Sequence, residues 1–257
     1  MIKFVGIINH RTLIAMGIAL VSLFICYRYT LIYNIDLTLI SIAIIFPLVF
    51  TIRGSFWRRE NALEHLSLFR GALKALYYCF MGNKKMDQAN KDIISDILSD
   101  VSNSVLAHLN GNNYETEKID RIIHRVFEFT EEKKEFISER IRIRVYRFME
   151  NVHESIDNLI AIHIHRTPIS LKAYCEAYIY IFPLVYTPTI INKVGLDSPA
   201  TITYFIVLLS QFMLISLYNI QDQLEYPFDK DGLDDIKTEK FKLASLIKSR
   251  DLLPNIS

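Results

Sequence analysis

Apolar and charged stretches alternate along this chain on a coarse scale. Residues 1–52 and 171–220 hold nearly all the uninterrupted hydrophobic runs, while 53–166 and 221–257 hold most of the charges. A helix needs roughly 20 mainly apolar residues to cross a bilayer. Residues 13–33, 171–194 and 202–220 meet that length, and 37–52, though shorter, runs without a break into a polar helical segment. The pattern predicts four transmembrane helices in two hairpins. In the second hairpin Gly195-Leu196-Asp197-Ser198-Pro199 forms the turn, with Ser198 as N-cap and Pro199 as the first helical residue.

Between the hairpins the periodicity is that of amphipathic helices. Leu63, Leu66, Phe69, Leu73 and Leu76 recur at three- and four-residue spacing within 61–81, and Gly82-Asn83 ends the run. Residues 87–109 form a second helix. Residues 117–165 form one or two more, with Ile122, Val126 and Phe129 and then Ile141, Val145, Phe148 and Val152 along one side. Strand alternation is missing, so the fold class is all-α. The expected domains are a first hairpin (1–55), a cytoplasmic helical domain (56–166), a second hairpin (167–220) and a C-terminal segment (221–257) packing on the helical domain.

Composition and charge sharpen this picture. A mean hydropathy of +0.21 beside 22% charged residues fits a membrane protein with a large water-facing part. Of 29 Lys and Arg, only Arg28 and Lys193 fall near the hairpin tips, which puts both termini and the middle segment on the cytoplasmic side. The first apolar run lacks a small-residue cleavage site and is read as a retained helix. A net charge of +1, with the signs mixed along the polar segments, gives no basic face for nucleic acid. Cys26, Cys79 and Cys175 have neither metal-ligand nor redox spacing and read as reduced structural thiols.

The sequence assembles no catalytic motif, no cofactor loop and no metal set, so an enzyme is not expected. His163 and His165 are two apart and point in different directions on a helix. The second span is more suggestive. Ile42, Phe46 and Phe50 recur every four residues along one stripe, with Pro47 among them. Around a symmetry axis such a stripe would become stacked apolar rings able to gate by dewetting. Periodicity alone favours packing or lipid contact over a pore. Arg53 and Arg58 follow where the helix leaves the membrane, either as a pore-mouth charge or as interfacial anchors. Lys172 and Glu176, four apart at the start of the third span, read as a self-neutralising pair.

After the fourth span comes Gln223-Leu224-Glu225-Tyr226-Pro227-Phe228-Asp229-Lys230-Asp231. It resembles the bestrophin-family signature, a Leu-Glu-Asn-Pro-Phe-Gly run followed by acidic residues. Phe56-Trp57-Arg58-Arg59-Glu60 is similar to that family's aromatic–Arg–Trp-Trp segment. Aligned on Arg58, Ile42, Phe46 and Phe50 fall on the family's three neck positions. Thr167-Pro168 resembles the dipeptide at its narrower cytoplasmic aperture. The resemblance implies a homopentameric ion channel in a bacterial cell membrane, in contact with lipids and permeated by ions such as chloride or sodium. Anion conduction is favoured, with a cation channel or a non-conducting scaffold as alternatives. The departures are Tyr226 for Asn, Asp229 for Gly, and Arg59 and Glu60 for the two tryptophans. Gly232 and Leu233 interrupt the acidic run, leaving Asp231, Asp234 and Asp235, so the calcium clasp of animal members is not carried over.

Overall fold

The structure is a computed structural model and describes residues 8–111, 116–230 and 232–243. Asp231 of the expected acidic turn, and residues 244–257 of the expected C-terminal segment, lie outside the described residues. Every regular element among the described residues is helical. In chain order these are α1 (His10–Tyr29), α2 (Thr38–Met81), α3 (Gln88–Leu109), α4 (Glu117–Glu132), α5 (Glu139–Ile164), α6 (Ile169–Val194), α7 (Ala200–Glu225) and a 3-10 turn (Thr238–Phe241). The 117–165 stretch is thus two helices.

One compact unit comprises residues 8–58, 167–226 and 232–234. Within it α1, α6 and α7 pack against one another. The buried side of α1 is a run of small residues, Ala15, Ala19, Ser22 and Cys26, which lets its backbone approach its neighbours closely. Pro47 of α2 and Pro183 of α6 each leave the carbonyl four residues earlier without its helical partner, because proline has no N–H. Both carbonyls are satisfied from a neighbouring helix. Gln211 on α7 donates through Nε2 to the Ile179 carbonyl at 3.0 Å, opposite Pro183. The Tyr174 hydroxyl on α6 donates to the Ala43 carbonyl at 3.3 Å, opposite Pro47. These are the repairs that let a proline stay inside an apolar helix.

α1, α2 and α7 are long and apolar enough to cross a membrane. α6 is equally long, at 26 residues, but its tyrosines, threonines and Pro183 and Pro188 make it less apolar. It also packs against both α1 and α7. At the α6–α7 turn the expected cap is corrected. The Ser198 hydroxyl turns back to donate to the Val194 carbonyl at 2.8 Å, and Pro199 is the N-cap residue of α7. An unpaired carbonyl at the end of α6 is the nearer acceptor for that hydroxyl.

The other unit comprises residues 59–111, 116–166, 227–230 and 235–243. Of the stripe anticipated on α2, Leu66, Phe69, Leu73 and Leu76 are buried and Leu63 partly so, and Phe80 extends it by a turn. Against them pack Ile94 and Leu98 of α3, Val126 and Phe129 of α4, and Val145 and Val152 of α5. Phe228 and Ile236 complete this core, and the Ile236 amide donates to the Pro227 carbonyl at 2.8 Å to close the turn. Burying each such side chain is worth about 1.5–3 kcal/mol.

Candidate functional site

The membrane part of α2 has two opposed faces. Ile44, Leu48, Thr51 and Ser55 are buried. Leu48 packs with Ala15, Cys175, Ile179, Ile215 and Tyr218. Ile42, Phe46 and Phe50 are 45%, 56% and 60% exposed. At about 100° per residue the centre of this ladder lies nearly half a turn from the centre of the buried stripe. The Phe46 and Phe50 rings sit 6.2 Å apart, one above the other along the helix. Arg53 falls on the same side and is exposed. The ladder is therefore not glue within the subunit.

Arg58 does not join that face. Its side chain is 18% exposed, and Nη1 lies 3.6 Å from Oε1 of Glu225, a carboxylate only 1% exposed. Glu225 is the centre of a dense polar group. The Thr167 amide donates to Oε1 at 2.8 Å, and Gln221 Nε2 donates to Oε2 at 2.9 Å. Gln221 Nε2 also reaches the Ser55 hydroxyl at 3.1 Å. Lys172 Nζ lies 2.9 Å from Glu225 Oε2 and 2.7 Å from Asp222 Oδ1. Arg11 Nη1 adds a 3.1 Å contact to Asp222, and its Nε stands 4.0 Å from Glu176. Three cations (Arg11, Arg58 and Lys172) thus meet three acids (Glu176, Asp222 and Glu225), so the group is neutral. It ties together the ends of α1, α6 and α7 and the α2 turn at Ser55–Arg58.

One expectation changes here. Lys172 pairs with Asp222 and Glu225 on α7 and not with Glu176 on its own helix, because two acids three apart on α7 offer shorter contacts than one turn of α6. Glu176 instead accepts from the Tyr218 hydroxyl at 3.3 Å. Thr167 is buried, at 8% exposure, with its amide held by Glu225. The large exposed residue at that bend is Ile169, at 85%. Of the acidic turn, Asp234 is exposed and Asp235 half-buried.

Sequence reasoning missed Gln221, Asp222 and Glu225 as partners, having ended the last span at Ile220. The available signal was their spacing, which continues one face of α7 for a further turn. It also missed the neighbour of His163. The rings of His163 and His108 are 6.3 Å apart, and His163 lies 6.2 Å from the Phe228 ring. Burial lowers the pKa of both imidazoles, although the Gly111 backbone works the other way at His163.

These features define an all-helical fold with an ion-paired helix bundle and an outward apolar ladder on its longest helix. That fold is the one found in bacterial bestrophin homologues. Two crystal structures of a bestrophin homologue from Klebsiella pneumoniae, each with a single substitution, superpose with TM-scores of 0.78 and 0.77. The first is 13% identical and the match covers 94% of this chain and 97% of that one; the second is 14% identical, with 95% and 98% covered. A crystal structure described as a membrane protein gives a TM-score of 0.80 at 13% identity, over 96% and 98% of the two chains. No protein-family model and no curated protein matches the chain.

Proposed function

We propose that this chain is the subunit of a passive ion channel in a bacterial cell membrane. Copies of it assemble as a ring, five in number by the bestrophin resemblance, with α2 innermost. The observation that carries the reading is the exposure of Ile42, Phe46 and Phe50 on the face of α2 turned away from its own bundle. A symmetric ring converts that face into stacked apolar constrictions, which conduct when wetted and close when dry. Permeation needs no chemistry and no cofactor.

The sign of the permeant ion rests on fewer residues than the sequence suggested. Arg58 is neutralised by Glu225, which leaves Arg53 as the arginine on the ladder side of the helix. A ring of Arg53 side chains at the inner end of the neck would concentrate anions, so chloride remains the favoured ion. The pairing of Arg58 is also the specific observation that keeps cation conduction as a second reading.

The test is flux through purified protein in liposomes, with chloride and sodium gradients measured separately. The double variant Phe46→Ala, Phe50→Ala enlarges the current, and Arg53→Gln lowers chloride relative to sodium. Wild-type vesicles that pass neither ion would end the channel reading, and a monomeric or dimeric particle in detergent would favour a scaffold.

A further inference from the structure

A cleft of about 500 Å³ opens between the start of α2 and the end of α6. We propose that it binds one phospholipid whose headgroup carries both a primary ammonium and a phosphate. Ile42, Ile45 and Phe46 of α2 and Tyr186 and Ile190 of α6 supply its apolar lining. Its rim carries one acid and one base, Asp36 and Lys193. The volume falls within the roughly 300–1,000 Å³ usual for small-molecule sites.

The charges fit a zwitterion of that kind. The Thr38 hydroxyl and amide donate to Asp36 Oδ1 at 2.6 and 2.9 Å, so both bonds fall on one oxygen and Oδ2 is left for a ligand. The same two bonds lower the Asp36 pKa, with a smaller contribution from Lys193, and keep it an anion. An ammonium offers N–H donors to that carboxylate, while Lys193 receives the phosphate in a charge-assisted contact. A choline headgroup has no N–H to give Asp36. A glycerol headgroup brings the phosphate alone and sets an anion beside Asp36.

The dimensions fit as well. From Thr38 to Phe46 the wall rises about 12 Å at 1.5 Å per residue, close to the roughly 15 Å depth of one leaflet's hydrocarbon layer. The headgroup then sits at the helix ends and an acyl chain runs down the cleft. Ile42 and Phe46 of the ladder line the cleft as well, so the acyl chain lies along one edge of the face that a central passage would use. The proposal rests on α2 and α6 lying in a membrane and does not require conduction.

Native mass spectrometry of the full chain, released from detergent micelles, tests this with dioleoyl phosphatidylethanolamine, phosphatidylcholine and phosphatidylglycerol titrated in turn. The expected result is saturable retention of one phosphatidylethanolamine per chain, at a concentration at least fivefold below the other two. Lys193→Gln removes that preference, and Ser41→Phe, which fills the cleft, removes saturable binding of all three. Both positions are outside the folded cores, and unchanged thermal midpoints confirm that the variants are intact. Equal retention of the three lipids, or a preference untouched by Lys193→Gln, overturns the proposal. So does disulfide cross-linking of copies through Ser41→Cys, which puts a second subunit in the cleft. Absent ion flux with lipid retention intact would end the channel reading and leave this one standing.

Discussion

Glu225→Gln is the most informative single substitution in the bundle. The carboxylate is 1% exposed, lies 3.6 Å from Arg58 Nη1 and 2.9 Å from Lys172 Nζ, and accepts from the Thr167 amide and Gln221. The amide is nearly the same size, so packing is conserved and the change is electrical. Its oxygen can still accept from Thr167. Its NH₂ group, however, then faces the donors of Gln221 and Lys172, and the neutral group is left one acid short of its cations. Lys172 keeps Asp222 at 2.7 Å, whereas Arg58 loses the carboxylate to which it is paired. At 3.6 Å and an effective dielectric of 20 the Arg58–Glu225 attraction is about 5 kcal/mol before desolvation is subtracted. Removing one member of a buried pair costs about 3–5 kcal/mol. The surviving Lys172–Asp222 pair sets the expected loss at the low end, about 3 kcal/mol. For a chain of this size that lowers the thermal midpoint by about 6–12 °C. The assay is thermal unfolding in detergent at a fixed scan rate, run as a double-mutant cycle with Arg58→Gln. Singles and double should fail to add by about 1.5–3 kcal/mol. A midpoint shift under 2 °C, or additivity within about 0.5 kcal/mol, would refute this account of the paired bundle.

The other predictions address separate parts of the chain. His108 and His163 have pKa values below the ordinary 6.5, so as pH falls below that value the unfolded chain takes up protons that the folded one does not. Stability is therefore full above pH 6.5 and lost below it, and the midpoint difference between pH 7.5 and 5.5 should shrink in His108→Leu. Phe80 is fully buried and meets Phe129 edge-on at 5.9 Å, so Phe80→Ala should cost about 3–5 kcal/mol by chemical denaturation. Gly195 holds φ +85° at the end of α6 with nothing within 4 Å of an added Cβ. Gly195→Ala should thus show backbone strain alone, about 1–2 kcal/mol after the gain from a stiffer unfolded chain.

What the sequence reveals here is whatever one helix can say about itself. The ladder on α2 is a four-residue repeat, and its separation from Ile44, Leu48 and Thr51 follows from helical geometry alone. The core stripe of Leu66 to Leu76 was legible for the same reason, as was the stop at Gly82-Asn83. Apart from Ser198, the errors concern partners far away in the chain. Lys172 and Asp222 are 50 residues apart, and Thr167 and Glu225 are 58 apart. An i,i+4 rule proposes Glu176 for Lys172 because it considers one helix only, while the packing of α6 on α7 brings two acids closer. Ser198 fails for a local reason: it bonds Val194 four residues back, since a cap residue between two helices has two ends to choose from.

The paired bundle and the outward ladder bear on each other. Lipid tails are as apolar as phenylalanine, so exposure of Phe46 and Phe50 to a bilayer carries no penalty and apolarity alone does not bring α2 helices together. Arg53 changes that balance. It lies on the ladder side, one turn beyond Phe50 and about 4.5 Å further along the axis, where a charge needs water or headgroups. Arg58, on the far side of the same helix, has its charge met inside the subunit by Glu225. Of the two arginines closing the membrane part of α2, one is anchored by its own bundle and the other is left facing the ladder's side. On the proposed reading this division of labour fixes the rotation of α2. The Arg58–Glu225 contact holds one face inward, and the helical period then carries Ile42, Phe46, Phe50 and Arg53 together onto the opposite side. A water-repelling neck followed by a cationic mouth is the order in which a dewetting gate can admit an anion once the neck is wet.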